Sequence, residues 1–150
     1  MNQTEHFKMA YAEARTRLEL LLEDITVNDL TKRLKGSPNS VGFLIRHITD
    51  VELLFAKNVF KNDAVHVVAK TVIDQKDNGS WTDLTELING LRDSREILLN
   101  TIEMQDEAKW NESLTTKEFG TKTKAEAFGR IISHTAYHAG QLALIKKYGS

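Results

Sequence analysis

Apolar residues recur at three- and four-residue steps along four stretches of the chain, which is the spacing of one face of an α-helix. The first two stretches cover residues 7–25 and 41–60, the third begins near Thr82, and the fourth begins at Thr123. With one Pro and 8 Gly, the chain offers few interruptions to these helices. The pattern therefore predicts an all-α fold, a four-helix bundle.

Polar residues at the predicted helix ends indicate where each helix begins. Thr4 is a candidate N-cap for the first helix, and Asn39 or Ser40 for the second. Thr123 with Glu126 three residues later fits a capping box at the start of the fourth helix. Because cap residues satisfy the free N–H groups of the first turn, these positions set the expected boundaries.

The connections between the predicted helices are unequal in length. Thr26 is expected to begin a short helical piece over 27–34, between helices one and two. Long connections separate helices two and three, over 61–81, and helices three and four, over 101–123. Residues 64–68 have a strand-like composition. Connections this long inside a compact domain are often functional.

The composition of the chain excludes several classes of function. A chain of 150 residues predicts one domain, 1–150. The 20 Lys and Arg balance 21 Asp and Glu, so we expect neither nucleic-acid binding nor attraction to a membrane surface. The absence of Cys excludes disulfides and thiolate metal sites. No targeting or membrane-spanning segment is apparent, and a cytoplasmic location is expected.

Two histidines on the fourth helix carry the most informative pattern. His134 and His138 are four residues apart, so they lie one turn apart and about 40° apart around the helix. They fall within the apolar arc of that helix, which places them toward the core. Buried imidazoles need partners for their ring nitrogens. A metal ion supplies one, and ordinary hydrogen bonds are the alternative.

His47 is the candidate third ligand. It flanks the apolar stripe of the second helix, one turn from Leu44 and Val51, and is expected to point inward. Three neutral imidazoles on two facing helices form a site with open coordination positions, the pattern of catalytic zinc. Imidazole also suits nickel, copper and ferrous iron. His6 and His66 have no assigned role.

The residues around these histidines resemble the DinB-like family. The segment 39–48, NSVGFLIRHI, followed by Val51 and Glu52, is similar to the first ligand-bearing helix of that family. The segment 133–142, SHTAYHAGQL, is similar to its last helix. The resemblance spans residues 7–148.

The resemblance implies properties beyond the helical pattern. It implies a DinB-like four-helix bundle with up-down-down-up topology, which often forms a homodimer. It implies that His47, His134 and His138 bind a divalent ion, zinc or nickel. Characterised relatives include thiol-dependent transferases and isomerases, so a low-molecular-weight thiol is a candidate cosubstrate.

Two further residues are candidates near the site. Gln141 lies about 20° from His134 around the helix and is a candidate catalytic residue that orients a ligated water or substrate. A packing role is its alternative. Asp50, three residues after His47, is a candidate acceptor for the other ring proton of His47, or else a solvated carboxylate.

Two functions of different classes follow from these residues. The first is a metal-dependent transferase or hydrolase that acts on a small-molecule substrate, with a thiol cosubstrate. The second is a non-catalytic metal-binding or stress-response bundle. An accessible cavity beside the ion indicates the enzyme, and a closed site indicates the second function.

Overall fold

The computed structural model describes residues 1–150, and most of them are helical. The elements in chain order are helix α1 (Gln3–Glu23), a 3₁₀ turn (Val27–Asp29), α2 (Val41–Leu54) with a π turn (Phe55–Val59), α3 (Lys70–Asp74), α4 (Leu84–Glu103), a 3₁₀ turn (Glu107–Asn111), strands β1 (Ser113–Thr116) and β2 (Gly120–Thr123), and α5 (Lys124–Tyr148). The predicted predominance of helix is confirmed. No helix has the length and apolarity needed to cross a membrane.

The four long helices pack on one another through their apolar stripes. Helix α1 contacts α4 and α5, and α2 contacts the same two helices from the other side. The apolar core divides into two clusters. One surrounds Trp110 and Phe128 near the start of α5, and the other surrounds Leu44 and Leu142 near its end. Polar residues of α2 and α5 lie between these clusters.

Local sequence predicted the N-cap residues of some helices and not of others. Ser40 begins α2, with its Oγ accepting the N–H of Phe43, as one of the two predicted alternatives. The predicted Thr123 capping box at the start of α5 is present. The prediction for α1 was wrong, because Asn2 is the N-cap there. The hydroxyl of Thr4 donates to Glu107 Oε1 at 2.9 Å instead.

The two longer connections contain elements that the helical pattern did not predict. Residues 64–68 form no strand, because no second strand lies beside them to complete a ladder. Instead Val65 is buried in the core, and the chain then enters α3. Between α4 and α5, strands β1 and β2 form an antiparallel hairpin.

The shorter connection between α1 and α2 contains less helix than predicted. The helical piece expected over 27–34, after Thr26, is only the 3₁₀ turn Val27–Asp29.

Candidate metal centre

Two helices bring three histidines together. His47 projects from α2, and His134 and His138 project from successive turns of α5. One nitrogen from each ring lies within 4.8 Å of the corresponding nitrogens of the other two. The Nε2 atoms of His47 and His134 are 3.2 Å apart. The predicted convergence of the three side chains is therefore present.

The ring of His47 is oriented by α3, the short helix in the connection after α2. Its Nδ1 lies 3.1 Å from the hydroxyl of Thr71. That hydroxyl in turn donates to Asp50 Oδ2 at 2.8 Å, and the backbone N–H of Thr71 donates to the same oxygen at 3.0 Å. Arg46 Nε donates to the other oxygen of Asp50 at 2.7 Å.

The predicted role of Asp50 needs a correction in its geometry. Nδ1 of His47 contacts the hydroxyl of Thr71, and the Asp50 carboxylate lies one hydrogen bond further out. The reason is the position of Asp50 one turn along α2, where its two oxygens receive Thr71 and Arg46. Asp50 is fully buried, so the alternative of a solvated carboxylate is wrong.

Gln141 holds His138 in a similar way. Its Oε1 accepts from His138 Nδ1 at 2.6 Å, and its Nε2 donates to the hydroxyl of Tyr137 at 3.0 Å. Both ends of the amide are therefore engaged within one turn of α5. The contact gives Gln141 a supporting role at His138, while a catalytic role for Gln141 stays a prediction.

Burial keeps all three imidazoles neutral. Burial and the neighbouring His138 lower the pKa of His47 to about 4. Burial, with His138, His47 and Arg130 nearby, lowers the pKa of His134 to about 3. Burial also lowers the pKa of His138, against the opposing effect of its bond to Gln141. At neutral pH the rings are therefore uncharged and hold lone pairs, the form that binds metal.

The donor set fits a divalent cation. Because Nδ1 of His47 and Nδ1 of His138 contact Thr71 and Gln141, the nitrogen that each of these rings can offer to a cation is Nε2. Ligands about 2.0–2.1 Å from a tetrahedral zinc lie about 3.3 Å apart, close to the 3.2 Å between Nε2 of His47 and His134. The Nδ1 of His134 is buried with no hydrogen-bond partner.

Cavities border the cluster on two sides. One, of about 320 Å³, has Val51, Phe55 and His134 in its wall and is rimmed by polar and charged side chains: Glu118, Arg130, Ser133 and Tyr137. The other, also about 320 Å³, lies against His47 and His138 and includes Thr71. Both open to solvent, so a small molecule has access to the histidines.

Sequence reasoning missed three residues of this region. Arg130 lies one turn before His134 on α5, and helical periodicity alone places it on that face. Glu118 comes from the hairpin and accepts from Arg130 Nε at 2.9 Å. Thr71 is 24 residues from His47, and no local pattern relates the two.

A helical protein in which two helices bring three histidines together is a candidate metalloprotein. The family model of the DinB superfamily matches residues 10–142, which is most of the chain. The chain therefore belongs to the DinB superfamily. A comparison with curated proteins finds no match.

Proposed function

We propose that this protein binds one divalent metal ion, zinc or nickel, through His47, His134 and His138. The single observation that carries the proposal is the convergence of three neutral ring nitrogens within 4.8 Å. The Nε2 atoms of His47 and His134 lie 3.2 Å apart, and a cation bound between them would accept a lone pair from each neutral ring. We also propose that the four long helices form the four-helix bundle that the family resemblance implies.

We propose further that the protein is a metal-dependent transferase or hydrolase acting on a small molecule, with a low-molecular-weight thiol as candidate cosubstrate. When bound, the ion supplies Lewis-acid chemistry, since it lowers the pKa of water or a thiol and produces a nucleophile at neutral pH. The three histidines hold this site on rigid helices, which fixes its geometry.

The cavity beside His134 supports a small-molecule substrate. Val51 and Phe55 offer an apolar surface, while Ser133 and Tyr137 offer hydroxyl groups that can orient a polar substituent. Arg130 and Glu118 place opposite charges at the same rim. A cavity of about 320 Å³ is in the range of small-molecule sites.

The alternative is a non-catalytic metal-binding or stress-response bundle. A structural site is closed around its ion, with four protein ligands. This cluster has three histidines and borders two open cavities, which favours the enzyme.

The test uses untagged protein, because a His-tag would itself bind metal. The protein is loaded with zinc or nickel and assayed with glutathione or bacillithiol against a panel of electrophiles, and separately against simple esters and amides. We expect turnover that is lost in His138→Ala. Turnover no greater than that of His138→Ala would contradict the enzyme and favour the alternative.

We also propose that the chain forms a homodimer. Leu20 of α1 and Leu144 of α5 are 60% and 51% exposed, respectively. Leu20 borders a groove of about 530 Å³ between α1 and α5, and half of the ten residues that line this groove are small: Ala14, Ala136, Ala139, Gly140 and Ala143. Light scattering at micromolar concentration should give twice the chain mass, and a monomer would contradict the proposal.

A further inference from the structure

Thr71 connects the loop region after α2 to the histidine cluster. It is the second residue of α3 and is only 2% exposed. Its hydroxyl lies 3.1 Å from His47 Nδ1 and 2.8 Å from Asp50 Oδ2. No other side chain of α3 makes a hydrogen bond to His47, so this hydroxyl is the hydrogen-bonding link between α3 and the ring.

The direction of each hydrogen bond follows from the chemistry of the groups. The Asp50 carboxylate is paired with Arg46 Nε at 2.7 Å and can only accept. The Thr71 hydroxyl must therefore donate its single hydrogen to Asp50. Its oxygen keeps lone pairs, so it accepts from His47 Nδ1–H. A neutral ring with hydrogen on Nδ1 has its lone pair on Nε2, the nitrogen 3.2 Å from His134.

We infer that Thr71 is a positioning residue for the metal centre. Its hydroxyl, ordered by Asp50, holds His47 in the Nδ1–H tautomer with the Nε2 lone pair directed at His134. The effect on metal affinity rests on the proposed function. The effect on the tautomer exists in the metal-free protein and is independent of that proposal.

A purely structural role for Thr71 makes a different prediction. The backbone N–H of Thr71 also donates to Asp50, at 3.0 Å, and this bond holds α3 on α2 without the side chain. Thr71→Val keeps the backbone bond and the shape of the side chain but removes the hydroxyl. If Thr71 only anchors α3, this variant leaves the His47 ring unchanged.

The first measurement is ¹H–¹⁵N NMR of the imidazole rings in metal-free protein. We expect wild type and Thr71→Ser to show His47 as the Nδ1–H tautomer. Thr71→Val should show a mixture or the Nε2–H form. A His47 ring that stays in the Nδ1–H form in Thr71→Val would overturn the inference.

The second measurement is zinc affinity by competition with a chelator. Loss of a group that orients a metal ligand typically weakens affinity about 10–100-fold, which we expect for Thr71→Val, while Thr71→Ser keeps the wild-type affinity. Equal affinity in Thr71→Val and wild type would contradict the inference. If wild type itself binds no zinc, the proposed function fails, and the ring tautomer still decides the role of Thr71.

A control variant and a replacement variant complete these measurements. Thr49→Val removes a buried hydroxyl of α2 that bonds only to the Ile45 carbonyl, at 3.3 Å, and should change neither readout. Thr71→Ala replaces Thr71→Val if the latter fails to fold, and it should show the same changes.

Discussion

Two polar clusters lie about one and a half turns apart along α2, and they are built in opposite ways. Glu52 is fully buried and accepts from Tyr11 at 2.7 Å, from Arg15 at 2.8 Å and from Ser94 at 2.6 Å. Its donors come from α1 and α4, with Thr135 of α5 at 3.5 Å. The Glu52 cluster therefore links all four long helices.

The polar groups of the histidine cluster are not all paired within the protein. It contains no counter-charge within the ring contacts, and the buried Nδ1 of His134 has no hydrogen-bond partner, while Nε2 of His134 meets only Nε2 of His47, at 3.2 Å. It also opens to cavities, whereas Glu52 is sealed. A polar cluster whose groups are paired within the protein therefore holds the helices together, whereas a cluster with an unpaired buried nitrogen beside open cavities is suited to bind a ligand from solution.

The largest expected effect is loss of the charge partner of Glu52. Arg15→Met leaves a buried carboxylate without its guanidinium, and breaking a buried ion pair in this way costs about 3–5 kcal/mol of unfolding free energy. Urea unfolding measures the loss. The control Arg17→Met changes an exposed arginine on the same helix and should stay within about 0.5 kcal/mol. A small loss in Arg15→Met would remove the contrast between the clusters.

A smaller effect is expected when a neutral donor is removed. Ser94→Ala takes one hydrogen bond from Glu52 Oε2, which keeps its bond to Arg15. Leaving a buried acceptor short of a donor costs about 1–3 kcal/mol. Urea unfolding should rank Ser94→Ala between Arg17→Met and Arg15→Met. A loss equal to that of Arg15→Met would show that charge pairing is not what distinguishes this cluster.

Whether the sequence predicted a contact of these clusters depends on how far apart the two residues lie along the chain. The His134–His138 pair and the Thr123 capping box are set by spacing within one helix, and both were predicted. The inward direction of His47 followed from the stripe on α2. Those predictions needed only helical geometry.

The unpredicted parts depend on contacts between distant segments. Thr71 meets His47 because α3 docks on α2, and Glu118 reaches the cavity because the β1–β2 hairpin folds over α5. The buried pair of Arg15 and Glu52 requires α1 and α2 to pack in one register. Periodicity within a single helix does not contain this information.

The pH dependence of stability separates the two clusters further. The pKa values of His47 and His134 are lowered to about 4 and about 3 in the folded protein, against about 6.5 when unfolded. The unfolded chain therefore binds more protons between these values, and folded-state stability falls as pH decreases from about 6.5 toward 4. Above about pH 6.5 the two rings are neutral in both the folded and the unfolded chain, so they add no pH dependence there.

Urea unfolding of metal-free protein at pH 7 and pH 5 measures this loss. His134→Gln should reduce the difference between the two pH values, because it removes one titrating group. His66→Ala, which changes an exposed histidine outside the cluster, should keep the wild-type difference. An unchanged difference in His134→Gln would mean that the histidine cluster does not impose this pH dependence.

The three-histidine site is tested most directly by the metal content of untagged protein after loading with zinc and removal of free ion. We expect one ion per chain in wild type and in His66→Ala, and loss of most of the metal in His47→Ala. We also expect His47→Ala to remain folded, since the Glu52 cluster is intact. Full stoichiometry and unchanged affinity in His47→Ala would contradict the three-histidine site.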